Sequence, residues 1–287
     1  MQTVTTLQTL REAVDGLRGG DGRIALVPTM GALHEGHLTL VRRAREVADH
    51  VVASIFVNPT QFGPNEDLDA YPRRLAADAA LLEGDGTALL WAPAVAEMYP
   101  PGFASSIGVA GVSEGLCGAS RPGHFDGVAT VVCKLFNQVR PDVALFGEKD
   151  WQQLAVIRRM ARDLDLTLPH ADNIIGVPTV READGLAMSS RNAYLSPADR
   201  QRAARLNVAM KEAIAAMESG ADVAVSLAAL EASLLEGGFA SVDYATLADA
   251  ASLEPLGMLG DVPARLLVAA RIGGTRLIDN MAVGNGA

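Results

Sequence analysis

The chain has 287 residues, 49% of them hydrophobic and 20% charged, a balance that supports a packed core and argues against wholesale disorder. At roughly 150 residues per domain it predicts about two domains. Asp and Glu number 34 against 24 Lys and Arg, a formal net charge of −10, which excludes a general nucleic-acid binder because phosphate neutralisation needs a basic face.

The N-terminus has no basic stretch followed by an apolar one, so no secretory signal is expected. Leu7, Leu10, Val14 and Leu17 form one apolar stripe and predict a first helix, ended by Gly19, Gly20 and Gly22. Ile24–Val27 follows as an apolar run without alternation, the pattern of a strand covered on both faces, stopped by Pro28. A helix is expected over 36–48 and a second buried strand over Val51–Val57. Then come a helix near 73–83, a strand over 87–91 and a helix over 124–139. A strand over Val143–Phe146 and a helix over 150–163 complete this part.

This alternation predicts an open α/β sheet, a Rossmann-like parallel-sheet domain with right-handed crossovers. Such sheets bind ligands at the carboxyl ends of their strands, which directs attention to 28–37, 58–64 and 147–153. A break is expected near 175, giving domains 1–175 and 176–287. In the second, Ser196-Pro197-Ala198-Asp199 is a strong helix start. A helix to about Glu218, another over 222–236, and strands over Val242–Leu247, Leu266–Ile272 and Arg276–Asp279 make a smaller α+β domain. No apolar run approaches the ~18 residues of a membrane-spanning helix. Cys117 and Cys133 are the only cysteines, too few for a disulfide scaffold or a Cys-rich zinc site. A soluble protein of the reducing cytoplasm, with no membrane or nucleic-acid partner, is expected.

Four segments carry chemistry. Met30-Gly31-Ala32-Leu33-His34-Glu35-Gly36-His37 leaves a buried strand and enters a helix, where amide groups and the helix dipole favour an anion. His34 and His37 share a face at a spacing of three; the metalloprotease pattern needs four. Gly147-Glu148-Lys149-Asp150 also follows a buried strand. There Lys149 suits a phosphate and Asp150 suits ribose hydroxyls, or caps the next helix; Gln153 suits a substrate oxygen. Met188-Ser189-Ser190-Arg191 suits a polyphosphate tail or is an ordinary polar turn. Asn58 and Gln61 suit hydroxyls and carboxylates, with Phe62 a pocket wall or core.

In combination and in order, PTMGALHEGH, SIFVNPTQF, LDAYPR, RPGHFDGVATVV, FGEKDWQQL and GVPTVREADGLAMSSRNAYL resemble the pantoate–β-alanine ligase family of the His-x-Gly-His nucleotidyltransferases. The resemblance is clearest from Val27 to Leu195. It implies an ATP-dependent ligase that condenses pantoate with β-alanine through a pantoyl adenylate to give pantothenate, AMP and pyrophosphate. It implies ATP contacts at Met30–His37, Gly147–Asp150, Val180, Met188 and Ser189–Arg191, and pantoate contacts at Gln61 and Gln153. His34, His37, Lys149 and Arg191 become the catalytic set, with Mg²⁺ near Asp78. The acid that some relatives carry before this position is Ala77 here, and Trp151 replaces a commoner Tyr or Phe. A homodimer, and a C-terminal domain closing as a lid, are also implied. Glu35, His124 and Asp126 receive no role. The main rivals are a nucleotidyltransferase making a dinucleotide-like product and a non-catalytic nucleotide sensor. A nicotinamide-dependent oxidoreductase is disfavoured by the missing Gly-x-Gly-x-x-Gly.

Overall fold

In a computed structural model, which describes residues 1–64, 66 and 68–284, the apolar runs without alternation become the strands of one sheet. In chain order the elements are β1 (Gln2–Val4), α1 (Leu7–Leu17), β2 (Ile24–Thr29), α2 (Glu35–Val47), β3 (His50–Ile55), α3 (Leu75–Gly84), β4 (Leu89–Trp91), α4 (Val95–Met98), α5 (Cys117–Ser120), α6 (His124–Val139), β5 (Val143–Gly147), α7 (Trp151–Asp163), β6 (Ile174–Val177), α8 (Pro197–Ala203), α9 (Arg205–Glu218), α10 (Val223–Glu236), β7 (Ser241–Asp249), β8 (Ala264–Ile272) and β9 (Thr275–Val283). They divide into two compact units. One comprises Met1–Ser113, Arg121–Glu148 and Gln153–Pro178; the other comprises Glu114–Ser120, Lys149–Gln152 and Thr179–Ala287. No helix among the described residues is long and apolar enough to cross a membrane.

The first unit holds a six-stranded sheet of order β1-β4-β3-β2-β5-β6, parallel throughout. On one face Ala25 and Val27 of β2 pack with Leu40, Val41 and Ala44 of α2. Ile24 and Leu26, which alternate with them along the strand, are equally buried. With both faces covered, an alternating pattern is not needed. Each fully buried Leu or Val stabilises the unit by about 1.5–3 kcal/mol. From β2 the chain moves to β3 and β4 on one side, then crosses to β5 on the other. The order therefore reverses between β2 and β5, and such a switch opens a crevice at the strands' carboxyl ends.

The second unit holds an antiparallel sheet of order β7-β8-β9. Its core joins Leu206, Met210 and Leu230 of α9 and α10 to Leu266, Val268 and Leu277 of the sheet. Gly273 and Gly274 link β8 to β9 with φ +55° and +76°. Two successive left-handed residues are what a two-residue type I′ hairpin needs.

Several boundaries differ from the sequence expectation. β2 continues through Pro28 to Thr29, because Pro28 lies beyond Leu26, the last residue pairing with β5, so its missing N–H leaves that ladder intact. β1 and β6 were not anticipated: β1 has three residues, too few for periodicity. The single helix expected to end near Glu218 is broken at Ala204, which keeps right-handed angles of −59° and −22°.

Gly127 in α6 brings a helix backbone against the turn at Pro59–Gln61. A Cβ there would lie 2.4 Å from the Thr60 carbonyl oxygen and 3.0 Å from the Gln61 nitrogen. Gly16 in α1 has no neighbour within 4 Å of its would-be Cβ. Gly→Ala inside a helix normally stabilises by about 0.5–1 kcal/mol, whereas overpacking costs about 1–3 kcal/mol. Gly16→Ala should therefore raise the thermal midpoint and Gly127→Ala should lower it, as measured by melting followed by far-UV circular dichroism.

Candidate active site

The turn from β2 into α2 is built by side chains that satisfy its backbone. Thr29 Oγ1 donates to the Ser54 carbonyl at 2.7 Å and accepts from the Gly31 amide at 3.2 Å. Gly31 and Ala32 both adopt left-handed φ, +83° and +50°; for alanine this costs about 1–2 kcal/mol. Asp78, in the first turn of α3 and only 2% exposed, compensates. Its Oδ2 accepts from the Ala32 amide at 2.9 Å and its Oδ1 from the Leu33 amide at 3.0 Å.

His34 then caps α2. Its Nδ1 accepts from the Gly36 amide at 3.2 Å, and His37 Nδ1 accepts from the His34 amide at 3.3 Å. This is a capping box with histidines in both roles. The rings lie 4.1 Å apart, tilted by 47°. Because each Nδ1 is an acceptor, the proton of each neutral imidazole belongs on Nε2, an assignment made from the hydrogen-bond pattern. The amides of Gly31, Ala32, Leu33, His34 and Gly36 are thus engaged by Thr29, Asp78 and the two histidines. The turn places two imidazoles at the positive end of the α2 dipole, rather than the open amides expected from sequence. Glu35 does not face this turn's donors. It pairs with Arg42, which also reaches Asp85 at 3.1 Å, and that guanidinium holds the Glu35 carboxyl below its usual range.

Asn58 and Gln61 meet at the end of β3. Asn58, 1% exposed, donates from Nδ2 to Gln61 Oε1 at 2.9 Å and to the Gly127 carbonyl at 3.1 Å. Its Oδ1 accepts from the Tyr99 hydroxyl at 2.8 Å and the Thr60 hydroxyl at 3.0 Å. Burial pushes the Tyr99 phenol up, which keeps it a donor. With its oxygen taken, Gln61 presents Nε2 as a donor. The Gln61 carbonyl is gripped in turn by Arg121 Nη2 at 3.1 Å and His124 Nδ1 at 2.8 Å. Arg121 also donates to His124 Nε2 at 2.9 Å, so His124 carries its proton on Nδ1. Glu66 closes the cluster against Arg121 at 2.6 Å, and the guanidinium holds its carboxyl below the usual range. His124 thereby acquires a place, while Asp126 is exposed on α6.

β5, which pairs with β2 through Val143 and Ala144, ends at Gly147 opposite Val177 of β6, and a 3-10 turn over Glu148–Asp150 leads to α7. Lys149 Nζ lies 3.6 Å from Asp150 Oδ1. The neighbouring glutamines divide their work. Gln152 is buried and bonds the Cys117 amide at 2.9 Å and the Gly115 carbonyl at 2.8 Å; Gln153 is half-buried. Val180 and Met188 are brought together by a 2.8–3.0 Å ladder, Glu182 to Leu186 and Met188 to Val180, around the turn at Gly185. Ser189 Oγ accepts from the Arg191 amide at 3.2 Å and starts the 3-10 turn Ser190–Tyr194.

A protein-held Mg²⁺ was expected at Asp78. Both carboxylate oxygens already accept a backbone amide and the side chain is 2% exposed, so an ion held there would have to share the carboxylate with the clasp. Among the described residues no group of three or more His, Cys, Asp or Glu could hold a metal. Sequence reasoning missed the clasp made by Asp78, the grip of Arg121 and His124 on Gln61, and the full engagement of Asn58. The first two join segments distant in the chain.

A family model described as pantoate-beta-alanine ligase matches residues 2–282. A pantothenate synthetase of Novosphingobium aromaticivorans is 72% identical over 284 residues, 99% of each chain. One of Sphingopyxis alaskensis is 63% identical over 99% of this chain and 100% of its own. The crystal structure of pantothenate synthetase from Thermus thermophilus superposes with a TM-score of 0.91 at 48% identity, covering 98% of this chain and 99% of that one. A Francisella tularensis pantoate-beta-alanine ligase, complexed with beta-gamma ATP and beta-alanine, gives 0.82 at 32% identity over 98% and 97%. A match that runs from β1 into β9, on a fold shared along its whole length, means that the chain belongs to the pantoate–β-alanine ligase family.

Proposed function

We propose that this ligase, which joins pantoate to β-alanine with consumption of ATP, does so through a pantoyl adenylate. A pantoate carboxylate oxygen bonds to the α-phosphorus as the bond to the bridging oxygen breaks and pyrophosphate leaves. The neutral amine of β-alanine then bonds to the acyl carbon, the C–O bond to phosphate breaks, AMP departs and the amine loses a proton. The observation that carries this reading is the histidine capping box. It presets two imidazole N–H donors where charge builds on the phosphates, with no reorganisation during the reaction.

The remaining roles belong to the same proposal. Met30–His37, Gly147–Asp150, Val180, Met188 and Ser189–Arg191 bind ATP, with His34, His37, Lys149 and Arg191 meeting its charge. Gln61 and Gln153 bind pantoate, and Asn58 holds Gln61 in the donor orientation. Mg²⁺ enters on the phosphates of ATP, as is usual for this ion, and supplies charge neutralisation when bound. A homodimer, a cytoplasmic location and a functional division at residue 175/176 complete it.

Lys149→Ala and His37→Ala should each lower kcat/KM by about 10²–10³-fold, the size of removing one preset electrostatic group; Lys149→Ala should melt as the wild type does, and His37→Ala, which loses its half of the capping box, should melt lower by the equivalent of about 0.5–2 kcal/mol. A coupled assay for AMP and pyrophosphate, run with and without β-alanine, measures this and the intermediate together. Pyrophosphate released in the first turnover without β-alanine marks the adenylate; none would leave a single-step reaction.

Asp78→Asn turns one N–H toward another at the clasp. Such a mismatch costs about 1–3 kcal/mol, roughly 5- to 150-fold if expressed in kcat/KM. The Mg²⁺ concentration giving half-maximal rate should stay at the wild-type value. A raised Mg²⁺ requirement would return Asp78 to the metal.

A further inference from the structure

Two adjacent buried polar side chains in the middle of the last strand are not used by the reaction as described. Asp279 is 2% exposed and Asn280 4%, in a strand whose Leu277, Met281 and Val283 belong to the apolar core. Successive strand residues face opposite ways, so the two address different segments. Asp279 forms a fork-to-fork pair with Arg181, Nη1 to Oδ2 at 2.6 Å and Nη2 to Oδ1 at 2.9 Å. Arg181 Nη1 also donates to the Gly185 carbonyl at 3.0 Å. This fixes the hairpin that brings Val180 and Met188 together.

Asn280 donates from Nδ2 to the Lys149 carbonyl at 2.8 Å and accepts at Oδ1 from Arg265 Nη1 at 2.5 Å. The Arg265 guanidinium lies 3.5 Å over the Trp151 ring, and the Trp151 indole N–H donates to the Ala250 carbonyl at 2.8 Å. Lys149 and Trp151 are therefore gripped on either side of Asp150. Stability alone is a weak reason for this arrangement. Buried ion pairs replaced by apolar residues of similar volume often leave a protein equally stable or more so. What apolar side chains could not supply is a fixed direction for the Lys149 backbone and for the hairpin.

We propose that Asp279 and Asn280 are positioning residues for the ligase reaction: Asn280 orients Lys149, and Asp279, through Arg181, sets the Val180–Met188 hairpin. This rests on the reading that Lys149 and the hairpin bind the nucleotide. A displacement of about 1 Å at a reacting group can cost about 10²-fold, so Asn280→Ala should lower kcat by roughly 10- to 100-fold.

The decisive measurement is a double-mutant cycle with Lys149→Ala, each variant checked by thermal melting. If Asn280 acts through Lys149, Asn280→Ala changes the residual rate of Lys149→Ala by less than about threefold, since coupled residues are not additive. Should Asn280→Ala melt early, Asn280→Asp keeps the volume and the Arg265 bond while losing the donor, and the same cycle is run with it. Equal fractional losses in both backgrounds, or wild-type turnover in the Asn280 variant, overturn the assignment. Wild-type turnover in Lys149→Ala instead overturns the reading beneath it. For the other half, Arg181→Lys keeps the charge and loses the fork; it should raise the KM for ATP more than it lowers kcat, and an unchanged KM overturns the role of Asp279.

Discussion

The carboxylate of Asp78, closed over the amides of Ala32 and Leu33, is the constraint on which the rest of the β2–α2 turn depends. Ala32 has no business in the left-handed region on its own account, and the strain of about 1–2 kcal/mol would open the turn. Two hydrogen bonds to a charged acceptor, each contributing about 1.5–3 kcal/mol, exceed it. With residues 31–33 so held, His34 falls at the N-cap of α2 and His37 one turn in. The imidazole tautomers follow from that placement. The oxygens of Asp78 reach the loop's amides from the first turn of α3, so the direction of two histidine N–H bonds is set by how α3 packs.

The same division between a holder and a held group recurs. Asn58 uses its amide nitrogen on Gln61 and Gly127 and its oxygen on Tyr99 and Thr60, which fixes Gln61 as a donor. Arg121 and His124 fix the carbonyl of the same residue. Gln152 anchors Gly115 and Cys117, while its neighbour Gln153 stays half-buried. Asn58 and Gln152, whose amide oxygen and nitrogen are both engaged, are both buried. That is what desolvation requires, since an unmade bond costs most where water is excluded.

What was legible in the sequence is what is local. The cap of Ser196 on Asp199 spans three residues, and it is written as Ser-Pro-x-Asp. The buried strands show as unbroken apolar runs, and α6 shows its ends. The Gly273-Gly274 turn was also there to be read, as a two-residue hairpin link between two apolar runs, and would have tied β8 to β9 at once. The clasp was not legible, because Asp78 acts across 46 residues. Asn280 acts across 131 residues on Lys149 and Asp279 across 98 on Arg181. A lone Asp in a helix or an Asp-Asn pair in a strand carries no spacing that identifies its partner. Only the topology, which brings the C-terminal strand to the segment after β5, does so.

An acidic chain that handles a polyanion also needs an explanation at the level of distances. A carboxylate held ~4 Å from one phosphate charge is opposed by about 4 kcal/mol at an effective dielectric near 20. One cation at the same distance offsets one such contact and no more. Many of the guanidinium groups are already committed: Arg42 to Glu35 and Asp85, Arg121 to Glu66, Arg181 to Asp279, and Arg200 to Glu182 and Asp184. Lys149 is differently placed, its nearest carboxylate at 3.6 Å and half exposed, so solvent screens that pair and a phosphate can compete for it. Net charge governs the far field, but within a few ångströms the outcome turns on which cations the fold has left weakly engaged. In the proposed reaction that makes the orientation of Lys149, and hence of whatever holds its backbone, worth more than any addition to the overall charge.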